Sequence, residues 1–526
     1  MFLRIQRFLP TAAKNFIQSR MTQGGDFLKA SDWRAIAGLM IALGIVLRVM
    51  PYLHNRSLWV DEAMLAKGIL VRSFSQLLGL LDYSQMAPVG FLFIEKTLVL
   101  NFGDGEYVLR LFPLLAGILS LFLFYGLARR ILTLRGATIA LTLFAISERL
   151  LYYSSELKPY SSDVMIALGI YWLGLICIEK ESRFVLSLFR LSIAGAILIW
   201  FSYPAVFSLA GVGIALTLYC LKTQKWQHMV WLSLPASFWL SSFALNYFTT
   251  LVKSQSPKML NDWIRNGDFM PMPPISIGDL MWYPIKFFEV FRGSGGLYFV
   301  GLAAICFVIG CGSIFSKKRY VCYMLTLPIL FALFASGLHK YPFQGRLLLF
   351  FVPAMMIFVG EGVDRIIILG KPPNRIVWVS LCVFLFLVPV QKAVLTLLNP
   401  ARMDREEVRP VMTYLSQHYQ KGDKLYLYNG TQPAFEYYAK RVGLEDVQYQ
   451  LGANSGKNWN TYVDELRGLR GNDRVWILFS HVAKNSGVDQ EKFFIHVLDG
   501  MGQQLDSFKR KDASVYLYEL PSDATP

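Results

Sequence analysis

Apolar runs of about 20 residues, the length a helix needs to cross a bilayer, recur along most of this chain and are separated by short polar loops. By that criterion spans fall at 33–53, 107–128, 136–153, 160–178, 184–201, 204–222, 228–251, 296–315, 320–338, 346–368 and 376–398. The segment 87–102 is also apolar but carries Glu95 and Lys96 near its centre. A charge at mid-bilayer costs about 2.5–3.5 kcal/mol on insertion scales, so an interfacial helix is expected there rather than another span. Beyond residue 400 the pattern changes to short alternating elements. Helices are expected at 406–419, 434–440 and 489–499, and strands at 424–428, 474–479, 504–509 and 514–519. The expected fold is mainly α: a polytopic transmembrane helical bundle of about 11 spans, with interfacial helices in the loop 54–106 and a small C-terminal α/β domain. Three regions follow, a basic N-terminus at 1–32, the bundle at 33–400 and the tail at 401–526.

Charge sets the orientation. Hydrophobic residues make up 54% of the 526 residues and charged ones 17%, which excludes a soluble protein of this length. The net charge of +16 resides largely in short loops: Arg129/Arg130/Arg135, Lys180/Arg183, Lys222/Lys225, Lys317/Lys318/Arg319 and Arg365/Lys371/Arg375. With 87–102 off the membrane path all of these fall on one side, the positive-inside pattern, and nucleic acid is not the expected partner. The N-terminus, basic through Arg4, Arg7, Lys14, Arg20 and Lys29, then lies inside, ahead of an apolar run that reads as a retained anchor. The loops 54–106, 154–163, 202–204, 252–295 and 339–345 and the tail face outward. The six cysteines all lie in or beside apolar runs, so neither a disulfide framework nor a zinc site is expected.

Three outward patches could carry chemistry. Asp61 and Glu62 follow the first span beside Trp59. They either begin a surface helix, favoured by its dipole, or supply a partly desolvated general base at the membrane surface. Glu156, Tyr160 and Asp163 share one face if a helix runs through them, although Pro159 points to a tight turn before the next span. Lys158 adds a cation there; an exposed Glu–Lys pair is the plain alternative. In His339-Lys340-Tyr341-Pro342-Phe343-Gln344-Gly345-Arg346, the last residue stands at the apolar boundary, where an arginine either snorkels to headgroups or binds a phosphate. The glycine spacing of 301–312 reads as helix packing, and 291–296 as a flexible outer turn.

Taken in order, these motifs resemble the C-type glycosyltransferases (GT-C fold), in the bacterial branch similar to protein mannosyltransferases and the lipid A aminoarabinose transferase. The likeness rests on the Asp61-Glu62 pair, Tyr83-Ser84-Gln85-Met86-Ala87-Pro88-Val89-Gly90, the stretch from Phe102-Gly103 to Arg110, Ser155-Glu156-Leu157-Lys158-Pro159-Tyr160 and Gly345-Arg346-Leu347. The resemblance implies transfer of a sugar from a polyprenyl-phosphate donor to a protein, lipid A or envelope-glycan acceptor, on the periplasmic face of a bacterial inner membrane. It implies Asp61 as base, Glu62 as its neighbour in positioning substrate and Glu156 orienting acceptor or sugar. Lys158 and Arg346 would bind the lipid phosphate, and Tyr83, Pro88, Arg110, Tyr160, Asp163, His339 and Lys340 would contact substrate. Attack opposite the phosphate would invert the anomeric carbon. No cofactor is expected, because the cations can neutralise the leaving phosphate; a divalent ion is the alternative. Outside this class the rivals are a secondary transporter or lipid flippase and a membrane assembly factor. The nearly charge-free span centres weigh against transport.

Overall fold

The computed structural model describes residues 29–252, 257–369, 375–454, 458–485 and 488–522, and helices occupy all eleven apolar segments. Most of the basic N-terminus, with Arg4, Arg7, Lys14 and Arg20, lies outside the described residues, as does Lys371. Among the described residues seven helices are long and apolar enough to cross a membrane, which makes this a multi-pass membrane protein. The longest, Val300–Gly337, departs from helical geometry at Lys318, where φ is −139° and ψ 59°. The chain reverses there: Cys322 Sγ lies 3.8 Å from the carbonyl oxygen of Cys311, eleven residues back, whereas a straight helix would separate them by about 16 Å. The runs 296–315 and 320–338 are therefore two legs of one hairpin. Leu134–Ile146, Phe184–Leu198 and Ser233–Asn246 are shorter than a span as single helices; the first is continued past Ser147 by Glu148–Tyr153.

Helix crossings depend on glycine where backbones touch. A Cβ on Gly310 would lie 1.9 Å from the carbonyl oxygen of Phe358, and one on Gly362 would lie 1.8 Å from that of Cys306. Glycine there lets Val300–Gly337 and Val352–Leu369 pack backbone to backbone, so the 301–312 spacing is a packing face. At the same end the basic loops meet acidic helix termini. Arg130 pairs with Glu179 at 3.1 Å, Lys317 with Glu361 at 3.0 Å and Arg135 with Asp364.

The other end of the bundle carries the tail. Its sheet has the order β2-β1-β3-β7-β6, built from β1 (Lys424–Leu427), β2 (Tyr449–Leu451), β3 (Asn472–Ser480), β6 (Gln503–Arg510) and β7 (Ala513–Leu520). A separate two-stranded ribbon joins β4 (Lys484–Asn485) to β5 (Val488–Asp489). β1 is parallel to β2 and β3, while β7 is antiparallel to β3 and β6. The alternation over 424–520 thus folds as the sequence suggests, with β2 and the helix Trp459–Arg467 added in a stretch where the apolar signal is weak. The tail does not stand apart. Val408, Val411, Phe435 and Tyr438 share one core with Leu58, Leu65, Ala66 and Phe91 of the loop after the first helix.

Val89–Phe102 belongs to that loop. At 14 residues it is too short to cross, and it packs on Val60–Val71, placing the Lys96 ammonium 2.9 and 3.0 Å from the Ile69 and Leu70 carbonyl oxygens. The segment 291–296, expected as a flexible turn, is instead helical through Ser294 and buried. Ser147 Oγ donates to the Gly295 carbonyl at 3.0 Å, and Ser294 Oγ to that of Gly345 at 2.8 Å.

Candidate active site

The first helix ends at Asn55 in the left-handed conformation (φ 50°), and four residues later Val60–Val71 begins from the extended Trp59. This jog places Asp61 and Glu62 in a helical first turn, where the dipole favours carboxylates. The second acidic turn comes to the same rim. Lys158 donates its backbone N–H to the Glu156 carbonyl at 2.7 Å, and Pro159 then caps Tyr160–Glu179.

Asp61 is the meeting point. Its Oδ1 lies 3.2 Å from Lys158 Nζ and accepts from Gln85 Nε2 at 3.2 Å; its Oδ2 accepts from Arg346 at 2.7 Å. Burial pushes this carboxyl up, but Lys158 and Arg346 outweigh burial and hold it well below the usual carboxylate range. Lys158 also donates to Gln85 Oε1 at 2.7 Å, and its burial lowers the ammonium against the pull of Asp61. Arg346 opens the 3-10 turn Gly345–Phe351, held by Ser294 on Gly345 and by the Tyr341 hydroxyl on the Leu347 carbonyl at 2.7 Å. Its guanidinium stands 5.5 Å from the Tyr160 ring.

Glu62 faces the other way. Arg110 grips both its oxygens at 2.9 and 2.6 Å, and the Leu157 N–H adds a third bond at 2.8 Å. Arg110 spends its remaining donors on the carbonyls of Arg56 and Ser57. Both side chains are wholly buried, so Glu62 and Arg110 form a strut fastening the second acidic turn to the first, and neither faces substrate.

Glu156 is buried beside them. It accepts from Trp59 Nε1 at 3.3 Å, while its Oε2 has no hydrogen bond and meets Arg56 only at 4.0 Å. Burial and the nearby Glu62 charge raise its carboxyl above the usual range.

The remaining expected site residues scatter. Tyr160 lies on the rim under Arg346 and edge-on to Tyr153 at 5.1 Å. Asp163 is buried a turn deeper with Oδ1 unbonded. Tyr83 donates to Glu436 of the tail at 3.1 Å, so it docks domains. Pro88 caps Val89–Phe102. His339 packs edge-on to Phe269 at 4.9 Å and Lys340 is exposed; among the described residues neither joins the Asp61 cluster. Three residues that the sequence reading passed over belong to the site. Gln85 bridges Asp61 and Lys158, Arg56 backs Glu156, and Arg405 of the tail stacks on Trp59. The polar residue just ahead of Pro88 was the one available signal for Gln85.

No sequence-family profile matches this chain, and no curated protein sequence matches it. Solved structures do. ArnT from Cupriavidus metallidurans bound to undecaprenyl phosphate aligns at TM-score 0.54 and 12% identity, over 94% of this chain and 99% of that one. Its apo form aligns at TM-score 0.54 and 13% identity, over 93% and 98%. An oligosaccharyltransferase from Archaeoglobus fulgidus, in complex with Zn and sulfate, aligns at TM-score 0.50 and 11% identity, over 93% of this chain and 74% of that one. A likeness that spans bundle and tail together assigns this chain the GT-C fold.

Proposed function

We propose that this protein is an integral-membrane glycosyltransferase that moves a sugar from a polyprenyl-phosphate donor to a hydroxyl or amine acceptor. The observation that carries the reading is Asp61 bridged between Lys158 and Arg346 at one rim of a GT-C bundle. ArnT, the neighbour of matching length, holds undecaprenyl phosphate, which fits such a donor.

In the proposed reaction the acceptor oxygen or nitrogen bonds to the anomeric carbon from the face opposite the phosphate. The bond from that carbon to the phosphate oxygen breaks, and its electron pair leaves on polyprenyl phosphate. The acceptor's proton passes to Asp61. With both cations on it, Asp61 is a weak base. An arriving phosphate competes for Lys158 and Arg346, which frees Asp61 for proton transfer and stabilises the charge that develops on the leaving group. Glu62 and Arg110 hold the two acidic turns together while this happens. We place this rim on the non-cytosolic side, since the basic loops gather at the other end.

Asp61→Asn keeps the size of the side chain and removes the base. Purified variant in nanodiscs should retain its melting temperature and lose at least about 100-fold in transfer from a panel of radiolabelled polyprenyl-phosphate sugars, the span typical of general-base removal. Wild-type turnover in that variant would remove Asp61 from the role. Because Lys158 and Arg346 are proposed to supply the neutralising charge, transfer should also persist in excess EDTA. Loss reversed by a divalent ion would transfer that task to a metal.

A further inference from the structure

We propose that Arg405, supplied by the tail, is a third cation of the site and binds a phosphate-class anion together with Arg346 and Lys158. The inference rests on the phosphate-handling reading above and adds a residue and a domain to it.

Arg405 is held by ring faces alone. Its guanidinium lies 4.1 Å from the Trp59 ring and 4.9 Å from the Tyr152 ring. Among the described residues no hydrogen bond or ion pair uses its donors, although it is only half-buried and its neighbours are all tied down. Asp404 pairs with His54 at 3.0 Å. Glu406 accepts the Val60 N–H at 3.0 Å and meets His481 Nδ1 at 2.8 Å. The segment is thus fixed on both sides of an arginine whose planar fork is free. Stacking presets a guanidinium without consuming its N–H groups, the arrangement that suits bidentate phosphate binding.

Its placement points to the same ligand. Trp59 stands two residues before Asp61 and donates to Glu156. From Tyr152 a row of rings runs to Tyr153 at 5.0 Å and on to Tyr160 at 5.1 Å, where Arg346 stands over the far end. Arg405 and Arg346 therefore bracket one aromatic wall of the rim, close enough for each to feel the other and Glu156. The carboxylates nearby are already matched: Asp61 by Lys158 and Arg346, Glu62 by Arg110, Glu156 by Arg56, Glu406 by His481. The positive charge left over is that of Arg405. A site that keeps a surplus cation with open donors beside its base is built to receive an anion.

The test measures binding of undecaprenyl phosphate to the full-length protein in nanodiscs, with inorganic phosphate as competitor. Arg405→Ala should weaken undecaprenyl phosphate at least about tenfold, the range for hydrogen bonds to a charged group, and should blunt competition by inorganic phosphate. Arg405→Lys, which keeps charge without the fork, should fall between Ala and wild type. Arg467→Ala, an exposed tail arginine, should bind as wild type, which separates a local contact from a change in net charge. Equal binding by wild type, Arg405→Ala and Arg405→Lys would overturn the assignment of Arg405 and leave the proposed function standing. Failure of the wild type itself to bind undecaprenyl phosphate would overturn both. Competition by inorganic phosphate in the wild type without binding of the lipid would place a free anion, not a lipid-linked one, on Arg405. That result would keep the anion site and overturn only the donor reading.

Discussion

Two neighbouring carboxylates of one dipeptide have opposite fates, and rotation by about 100° per residue on a helix is the reason. Asp61 meets the open rim, where it stays 16% exposed and shared by two cations, whereas Glu62 points into protein at 0% exposure. A buried pair broken at one partner leaves an uncompensated charge, at a cost of about 3–5 kcal/mol. Glu62→Ala should therefore lower thermal stability far more than Asp61→Asn, and should lower transfer as well because the Leu157 turn comes loose. A melting temperature within a degree of wild type would sink the strut. The sequence made Asp61, Glu156, Lys158 and Arg346 legible, since each is a charge delivered by an apolar run to a membrane boundary. Which carboxylate of the pair turns inward was not legible, because helix rotation is set by packing partners 48 and 95 residues away. Nor was Arg405, whose significance comes from Trp59 and Tyr152, both distant in sequence.

The element that carries the base, Val60–Val71, is capped from outside at both ends. Glu406 takes the Val60 N–H, and Lys96 takes the Ile69 and Leu70 carbonyls. No sequence window around 60–71 contains either cap, so the helix could be expected but its anchoring could not. The charges of 87–102, taken as evidence against a span, have just this local explanation for lysine and a different one for glutamate. Glu95 is fully buried with both oxygens unbonded, and burial raises its carboxyl well above the ordinary range, which keeps it neutral. The neighbours should then respond oppositely to neutral isosteres. Lys96→Met strips two buried carbonyls of their donor and should cost about 1–3 kcal/mol, whereas Glu95→Gln should stay within about 0.5 kcal/mol of wild type. Thermal unfolding of both purified variants checks this, and equal losses would refute the capping role. Elsewhere, helices were readable from apolar length alone. The reversal at Lys318 was not, because a lysine between two apolar runs reads equally as a loop or as a snorkelling break.

At the scale of the whole molecule, the tail and the loop after the first helix are one folding unit, so the tail cannot be read as an appendage that merely covers the bundle. The Tyr438 hydroxyl accepts the Leu58 N–H at 2.7 Å and donates to Glu106 at 3.1 Å, and Arg409 reaches the same Glu106 at 3.0 Å and the Asn55 carbonyl at 2.6 Å. Lys67 pairs with Glu436 at 2.6 Å, and Glu406 caps the helix that bears Asp61. Beneath these bonds lies the shared apolar core of Leu58, Leu65, Ala66 and Phe91 with Val408, Val411 and Phe435. Removing 401–526 would expose that core, leave Leu58 N–H and Glu106 unpaired and uncap Val60. Each unpaired buried group costs about 1–3 kcal/mol, and the sum approaches the total stability of a typical domain. Deletion of 401–526 should therefore yield protein that aggregates on extraction and shows no transfer, even to a small acceptor that needs no recognition by the tail. Tyr438→Phe is the graded version: it removes one hydroxyl that serves two partners and should lower the melting temperature without touching the rim residues. A monodisperse truncated bundle that transfers sugar at the wild-type rate would show instead that the base and its cations are organised by the helices alone.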